Sequence, residues 1–420
     1  MIQAMGAFGS LFAAVFICLT GNGLLNTLLS ARMAMDGYSM VTMGVVLSCY
    51  FSGLLAGSFV CHRLIQRIGH IRAFAVFAAG TTVAALVHGI FLSPWVWGGL
   101  RFSCGVTTFG LFMTMESWLN ECAEAKYRGR VFSIYMILSF LGIGIGQQLL
   151  NAGDIQGNEL FIIAGVIFAM CLIPVAATDG VHPRLPGPVR FSFIVIFRKA
   201  PLGMLGSMAA GLTNSAFYAM MPVVCSAVGL SHYQLSWIMS ITVFAGLTAQ
   251  FLVGAVSDRF DRAMVLTIVV VSIVVVSGFL FFDKDPSFIG LIVKMAMIGA
   301  LIFSVYPLAV ARTHDIFGGQ DTIAVSTGLL FAYSTGASVS PLLASGMMTL
   351  VRTPLGLFAF WCSVHFIFAG MIFYLRTKEK LEIVPVEDQV SFVPMKRTSP
   401  VAMELDPRTD PTEDVKEHSA

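Results

Sequence analysis

The sequence predicts an all-α integral membrane protein with twelve transmembrane helices arranged in two pseudo-symmetric six-helix bundles. Three observations predict this class. The chain is 57% apolar and 11% charged, its apolar residues fall into a series of long runs, and its two halves repeat at a fixed offset. A mean hydropathy of +0.83 excludes an ordinary soluble domain.

Each apolar run is close to the ~20 residues that cross a bilayer as a helix. The runs lie at about 7–30, 39–61, 71–92, 95–118, 131–151, 160–178, 202–228, 233–256, 263–282, 288–311, 323–350 and 355–375. No Lys or Arg precedes Arg32. Because a cleaved signal peptide needs a basic start, we expect the first run to remain as a membrane helix.

Basic residues concentrate in alternate connections, which predicts that both termini are cytoplasmic. The outer connections carry only Arg32, Lys284 and Arg352. The expected cytoplasmic segments carry Arg63, Arg67, Arg72, Lys126, Arg128, Arg130, Arg184, Arg190, Arg198, Lys199, Arg259, Arg262, Arg312, Arg376, Lys378 and Lys380. We therefore expect a multi-pass protein of the inner or plasma membrane.

Composition divides the chain into four parts. We expect an N-terminal six-helix bundle at 1–178, a Pro-containing cytoplasmic linker at 179–199, a C-terminal six-helix bundle at 200–376 and a disordered cytoplasmic tail at 377–420. The eight cysteines form no C-x-x-C pair and have no metal spacing. This pattern does not indicate a metal site, and we also expect no cofactor and no enzymatic activity.

The two halves match at an offset of 193 residues. Thr20 pairs with Thr213, since 213 − 20 = 193, and Gly53 pairs with Gly246 at the same offset. Parallel repeats of this kind place a site between the halves, near the middle of the membrane.

Several motifs resemble those of the major facilitator superfamily, and in particular its YcaD-like branch. The D-R-x-G-R signature stands altered as Gln66-Arg67-Ile68-Gly69-His70 and Asp258-Arg259-Phe260-Asp261-Arg262. R-x-x-x-G stands as Arg101-Phe102-Ser103-Cys104-Gly105, and Gly142-x-Gly144-x-Gly146 is similar to the family's glycine-rich motif. Glu116-Ser117-Trp118-Leu119-Asn120-Glu121 resembles the YcaD-like branch. The resemblance implies a transporter that works by alternating access.

Arg101 and Lys294 are the candidate charges for substrate binding. Both lie shortly after a proline in equivalent helices, and 294 − 101 = 193. A charge inside the membrane is costly unless it faces protein or water, so it indicates a functional site. The alternative is that Lys294 extends to the outer interface and that Arg101 bonds helix carbonyls.

Polar residues on other helices are candidates for the same cavity. Asn22 and Asn26 lie one helical turn apart and share a face. The remaining candidates are Asn214, Tyr218, Gln147 and Tyr333. The alternative for each is a hydrogen bond between neighbouring helices.

The resemblance also implies gating residues at the cytoplasmic ends. The candidates are Arg67, Gly69, Glu116, Arg128, Asp258, Arg259 and Arg262. Glu116 lies fifteen residues beyond Arg101, about 22 Å along the helix, and so near the cytoplasmic surface. We expect it to pair with Arg67 or Arg128, with proton carriage as the alternative.

These observations predict a secondary active transporter of a small organic solute, anionic in character. The alternative is a multidrug-type exporter of amphipathic compounds with a Met- and Phe-rich cavity. The chain has no G-x-x-x-x-G-K-[ST] loop, so ATP is not the expected direct energy source. The expected partners are the substrate, a proton or counter-anion, and membrane lipid. We expect a monomer that binds no nucleic acid.

Overall fold

The computed structural model describes residues 2–177, 192–283, 287–318, 321–377, 384–406 and 408. Across these ranges the regular structure is entirely helical. Most of the predicted linker lies outside the described residues. So do several basic residues used to predict the orientation, namely Arg184, Arg190, Lys284, Lys378 and Lys380.

The first half contains seven helices that make six crossings. They are α1 (Ile2–Met35), α2 (Met40–Ile68), α3 (His70–Ile90), α4 (Pro94–Cys122), α5 (Arg128–Gln148), α6 (Glu159–Met170) and α7 (Leu172–Ala176). Together α6 and α7 form one crossing.

The second half repeats this order after a short helix, α8 (Phe193–Lys199). Its crossings are α9 (Pro201–Ala227), α10 (His232–Ser257), α11 (Arg262–Phe282), α12 (Phe288–Phe317), α13 (Thr322–Leu350) and α14 (Gly356–Thr377). Eleven spans in the described chain are long and apolar enough to cross a membrane. The helix α4 is as long as these but less apolar, because it carries Arg101, Glu116 and Glu121. The predicted twelve-helix fold is confirmed.

We call the end of the bundle where α2 and α10 begin the outer end, and the opposite end the inner end. The names follow the predicted orientation. Ser39 caps the start of α2, where its hydroxyl accepts a hydrogen bond from the Thr42 N–H. Ser231 caps α10 in a reciprocal arrangement with Gln234. Both caps satisfy backbone groups that the helix starts leave without partners.

Glycines bring equivalent helices together in each half. A Cβ atom on Gly53 of α2 would lie 2.1 Å from the carbonyl oxygen of Phe102 on α4, and one on Gly246 of α10 would overlap Phe303 of α12. Similarly, Gly146 of α5 packs on the backbone of α1 at Thr20. Small residues let membrane helices approach closely, so these positions fix the packing of each bundle.

The two halves meet closely at the outer end. Ser48 of α2 accepts a hydrogen bond from the Leu342 N–H of α13 at 3.2 Å. Gln148, at the end of α5, donates to the Ser240 hydroxyl of α10 at 2.8 Å, and Asn151 donates to the Ser236 hydroxyl at 2.9 Å. The outer end is therefore closed by contacts between helices.

At the inner end, residues 384–406 lie between the halves. We call this segment the tail. It includes a 3₁₀ helix, Pro400–Leu405, which contacts α4 and α5 of the first half and α13 of the second. The prediction of a disordered tail does not hold for this segment. Its average polarity conceals apolar residues that are buried here: Val393, Met395, Val401, Ala402 and Leu405.

Candidate functional site

A central cavity of about 780 Å³, including its open part, lies between the halves. Its walls come from equivalent helices of each half: α1, α2, α4 and α5, and α9, α10, α12 and α13. The lining residues are Leu19, Asn22, Gly23, Asn26, Tyr50, Phe51, Leu54, Phe112, Phe140, Ile143, Asn214, Tyr218, Gln250, Phe303, Tyr306, Tyr333 and, from the tail, Met395, Lys396 and Arg397. The helices thus provide an aromatic wall that carries amides and tyrosine hydroxyls.

Arg101 lies in a side pocket of about 170 Å³ that shares Asn22, Asn26 and Tyr50 with the cavity. Its guanidinium group donates to the Asn26 side-chain oxygen and stacks over the Tyr50 ring at 4.3 Å. Arg101 is 3% exposed, and its Nε has no hydrogen-bond partner in the described chain. A buried cation with an unsatisfied N–H favours an anionic or strongly polar group beside it.

Asn22, Asn26 and Tyr50 form a continuous hydrogen-bonded chain in front of Arg101. Asn22 donates from Nδ2 to the Tyr50 hydroxyl at 2.8 Å, and Asn26 donates to the Asn22 side-chain oxygen. Because these groups also face the cavity, they connect it to the Arg101 pocket. The predicted shared face of Asn22 and Asn26 is therefore present.

The second half contributes polar groups that are buried and unsatisfied. The Asn214 side-chain oxygen and the hydroxyls of Tyr218 and Tyr306 lack partners within the described residues. Tyr333 packs against Tyr306 with ring centroids 5.1 Å apart. Buried polar atoms normally have partners, so a cavity with several unsatisfied ones is suited to a polar ligand or to water.

Residues 11–224 and 203–407 match the sequence profile of the Major Facilitator Superfamily. The chain belongs to this superfamily. It is 27% identical, over 358 residues, to the proteins named uncharacterized MFS-type transporter YcaD from Shigella flexneri and from Escherichia coli O9:H4 (strain HS). The match covers 83% of this chain and 90% of each relative.

Solved superfamily structures share the fold. A mutant of the nucleoside transporter NupG has a TM-score of 0.70 at 11% identity and covers 89% of this chain and 98% of its own. A bacterial homologue of the human lysosomal transporter Spinster, solved inward-facing and unoccupied, has a TM-score of 0.67 at 13% identity and covers 92% and 99%. The chain is therefore a multi-pass membrane transporter of this superfamily.

Lys294 does not line the cavity, contrary to the prediction that it shares a site with Arg101. Its ammonium group forms an ion pair with Asp283 at the outer end, and both side chains are partly exposed. The sequence offset gives the same depth for both residues, but the helix face and the neighbouring acid decide where each side chain points. The alternative, in which Lys294 extends to the outer interface, describes its position.

Gln147 is also absent from the cavity wall. Its side chain is buried within the bundle, and neither polar atom of its amide has a hydrogen-bond partner in the part of the chain that the structure describes. Its neighbour Gln148 faces the other half instead and bonds α10. The predicted substrate contact of Gln147 is therefore not present in this arrangement.

Glu116 is fully buried near the inner end, at the depth that the sequence predicts, but its partners differ from those predicted. One carboxylate oxygen accepts from the Tyr135 hydroxyl. The other accepts from the N–H and the hydroxyl of Ser399 in the tail, the N–H at 3.2 Å. No ion pair with Arg67 or Arg128 occurs among the described residues, and the tail and Tyr135 bond this carboxylate instead.

The superfamily signature of the second half forms a charge network at the inner end. Arg262 is buried and pairs with Asp258 and with Asp315 of α12, each at 2.6 Å. Asp261 replaces the glycine of the signature and caps α11 through the N–H groups of Ala263 and Met264. Arg259 is exposed and takes no part in this network.

The equivalent junction of the first half has a different structure. Gln66 and Arg67 are exposed, and Gly69 connects α2 to α3 with φ at +81°. A positive φ favours glycine, so Gly69 serves the turn between the helices. Arg128 is half-buried at the start of α5. Gating roles for these residues remain predictions.

The tail brings two basic side chains into the cavity that sequence reasoning missed. Lys396 and Arg397 line it, and the Arg397 guanidinium lies 5.8 Å from the centre of the Tyr333 ring. Burial lowers the pKa of Lys396 to about 7. The available signal was the apolar stretch Val390-Ser391-Phe392-Val393-Pro394-Met395, which stands out in a polar tail.

Proposed function

We propose that this protein is a secondary active transporter of an amphipathic organic anion, with a carboxylate, sulfonate or phosphate head group and an apolar or aromatic body. Both termini face the cytoplasm, and the protein alternates access across the inner or plasma membrane. One observation carries the proposal. Arg101 is the single charged side chain that the described helices place at the cavity and its side pocket, and no acid there neutralises it.

The surroundings of Arg101 support an acidic head group. Such a group, moving between Asn26 and Tyr50, would accept a hydrogen bond from the unsatisfied Nε of Arg101. An Arg fork binds planar oxyanions through two parallel hydrogen bonds, and burial strengthens the attraction. Asn22 and Asn26 supply further amide donors.

The remaining walls support an apolar body. Phe51, Phe112, Phe140 and Phe303 line the cavity, together with four tyrosines. Aromatic rings offer a large contact area, and the tyrosine hydroxyls can form hydrogen bonds with polar substituents of the solute. These walls suit a solute larger than an inorganic anion.

The coupling that we propose is supported by the described cavity walls, which contain no acid. Without a carboxylate at that depth, the substrate itself carries the proton, or a second anion moves in the opposite direction. Glu116 lies closer to the inner end and is bonded to the tail in this arrangement.

Binding of benzoate and of its neutral analogue benzamide to the purified protein tests the proposal. We expect benzoate to bind more tightly, and Arg101→Gln to weaken it by about tenfold or more, or ~1.4 kcal/mol. Arg101→Lys should also impair binding, because a point charge does not reproduce the fork.

Lys294→Gln is the matched control. Its charge is paired at the outer end, so its effect on benzoate binding should stay within about twofold. Equal binding of benzoate in the wild type and in Arg101→Gln contradicts the proposal.

The aromatic lining also favours the second candidate, a multidrug-type exporter of amphipathic compounds. In that case benzamide and benzoate bind equally well, and Arg101→Gln leaves both unchanged.

A further inference from the structure

The tail makes hydrogen bonds to charged groups of both halves. The Val390 N–H donates to Asp315 at 3.0 Å, and the Phe392 N–H donates to Asp258 at 3.0 Å. In the first half, Ser399 bonds Glu116, and Glu404 accepts from the side-chain amide of Asn120. Residues 389–404 thus run from the charge network of the second half to the inner end of α4.

Between these two anchors the tail passes through the candidate substrate cavity. Met395, Lys396 and Arg397 form part of its wall, and the Lys396 N–H contacts the sulfur of Met136 on α5. Met395 is 1% exposed and Val393 is 5% exposed. The tail therefore occupies space that a substrate moving in from the inner end would have to cross.

We propose that residues 384–406 are an intramolecular plug, for which the inner mouth of the cavity is the binding site, and that exchange of substrate with the cytoplasm requires its release. The proposal rests on the proposed function, since it identifies the obstructed cavity as the substrate's. The 3₁₀ helix of the plug contacts α4 and α5 of the first half and α13 of the second half at the same time. The plug therefore binds only while the two halves keep this relative position.

Two features argue for a built site rather than a chance contact. First, the tail completes the hydrogen bonding of carboxylates that the helices bury: Glu116 has no basic partner in the described chain, and Asp315 is fully buried. A buried carboxylate is unfavourable unless its oxygens accept hydrogen bonds, so the tail stabilises Glu116, and it adds a hydrogen bond to Asp315, which Arg262 already neutralises. Second, Gly254 of α10 makes room for the Phe392 ring, since a Cβ atom there would lie 2.4 Å from Cδ1.

Access to the cavity can be measured without a substrate. In full-length protein carrying Leu54→Cys, N-ethylmaleimide labels a position on the cavity wall, and mass spectrometry separates it from the native cysteines. The tail is then loosened by Val401→Glu, which places a charge at a residue that is 4% exposed. Val386→Glu is the matched control, because Val386 is 43% exposed.

We expect Val401→Glu to raise the labelling rate at position 54 by about tenfold or more, because a buried charge expels the tail. Val386→Glu should leave the rate unchanged. Trypsin should also cleave after Lys396 and Arg397 faster in Val401→Glu. Equal labelling in the two variants overturns the proposal, whether or not trypsin cleavage differs.

A disulfide provides the opposite test. A Cβ on Gly254 would lie 3.1 Å from Cγ of Phe392, so cysteines at 254 and 392 are near the ~3.5–4.5 Å that separates the Cβ atoms of a disulfide. When Gly254→Cys and Phe392→Cys are combined with Val401→Glu, oxidation should hold the tail in place and prevent its release. Reduction of the disulfide should restore the release. Rapid labelling of Leu54→Cys in the oxidised protein contradicts the plug.

These results separate the two proposals. Faster labelling in Val401→Glu, combined with no preference for benzoate over benzamide, refutes the anion proposal and leaves the plug. Preferential benzoate binding with equal labelling in Val401→Glu and Val386→Glu refutes the plug and leaves the anion proposal.

Discussion

The inner ends of the two halves repeat the same fold but not the same charges. In the second half, Arg262 is enclosed by Asp258 and Asp315. In the first half, the equivalent positions carry Gln66 and His70, and Arg67 is exposed. The glycines pack the helices closely in both halves, whereas the ionic network is present only in the second half of the described chain. The tail bonds this network and, in the first half, the isolated carboxylate of Glu116.

The largest difference between the halves should appear in stability. Arg262→Met leaves Asp315 buried without its cation, so we expect a loss of about 3–5 kcal/mol in the free energy of unfolding. Denaturant titration of the purified protein in detergent measures this loss.

Arg67→Met and Arg259→Met are the controls, because these arginines are exposed at equivalent positions of the two halves. Surface substitutions of this kind change stability by about 0.5 kcal/mol or less. A similar loss in Arg262→Met and Arg259→Met contradicts the importance of the buried network.

Sequence reasoning was most successful where the bilayer restricts the chain. Most crossings begin and end within a few residues of their apolar runs, because a membrane helix must be apolar and about 20 residues long, but α2 and α12 continue past their runs to Ile68 and Phe317. The offset between Gly53 and Gly246 also identified equivalent helix contacts. The sequence also placed Glu116 near the end of α4.

The sequence did not predict the direction in which a side chain points, or which residues far apart in the chain contact each other. Lys294 and Arg101 have equal depth, yet Asp283 in the preceding connection holds Lys294 at the outer end. The partner of Glu116 lies 283 residues away, at Ser399. Composition suggested that the tail was too polar to fold, but its apolar residues are buried against other parts of the chain.

A smaller effect concerns the pH dependence of tail binding. Burial lowers the pKa of Lys396 from 10.5 to about 7. Among its neighbours, Arg397 also lowers this pKa, whereas Cys18 of α1 and Glu116 of α4 raise it. Because the released lysine regains its ordinary pKa, docking is strongest above pH 10.5, weakens as the pH falls towards 7, and changes no further below that.

We therefore expect tail release to rise by up to about tenfold between pH 8.5 and 7.5. The labelling rate of Leu54→Cys measures release, and dividing it by the rate in the same protein with Lys396→Met removes the pH dependence of the reagent. If this ratio is constant with pH, Lys396 is not neutral in the docked tail.

Within the charge network, Asp258→Asn should cost much less stability than Arg262→Met. The Asp258 side chain is 42% exposed, and Asp315 remains to pair with Arg262. We expect a loss of about 1 kcal/mol or less in unfolding free energy. Benzoate affinity should stay within about tenfold, or ~1.4 kcal/mol.

Turnover should nevertheless slow in Asp258→Asn, because the superfamily signature is expected to hold the inner end closed during part of the cycle. Uptake of radiolabelled benzoate by proteoliposomes measures it. Gln66→Asp restores the acid of the first half and serves as the comparison, and unchanged turnover in Asp258→Asn excludes a gating role for that carboxylate.

The tail's occupation of the cavity is tested most directly by hydrogen–deuterium exchange of the full-length protein, followed at residues 389–402. The hydrogen bonds of the Val390, Phe392 and Ser399 amides to carboxylates of the helix bundle predict slow exchange in the absence of ligand. Saturating benzoate should accelerate exchange in this segment, because substrate and tail share one cavity. Exchange at the rate of an unstructured peptide, with or without benzoate, would contradict the account.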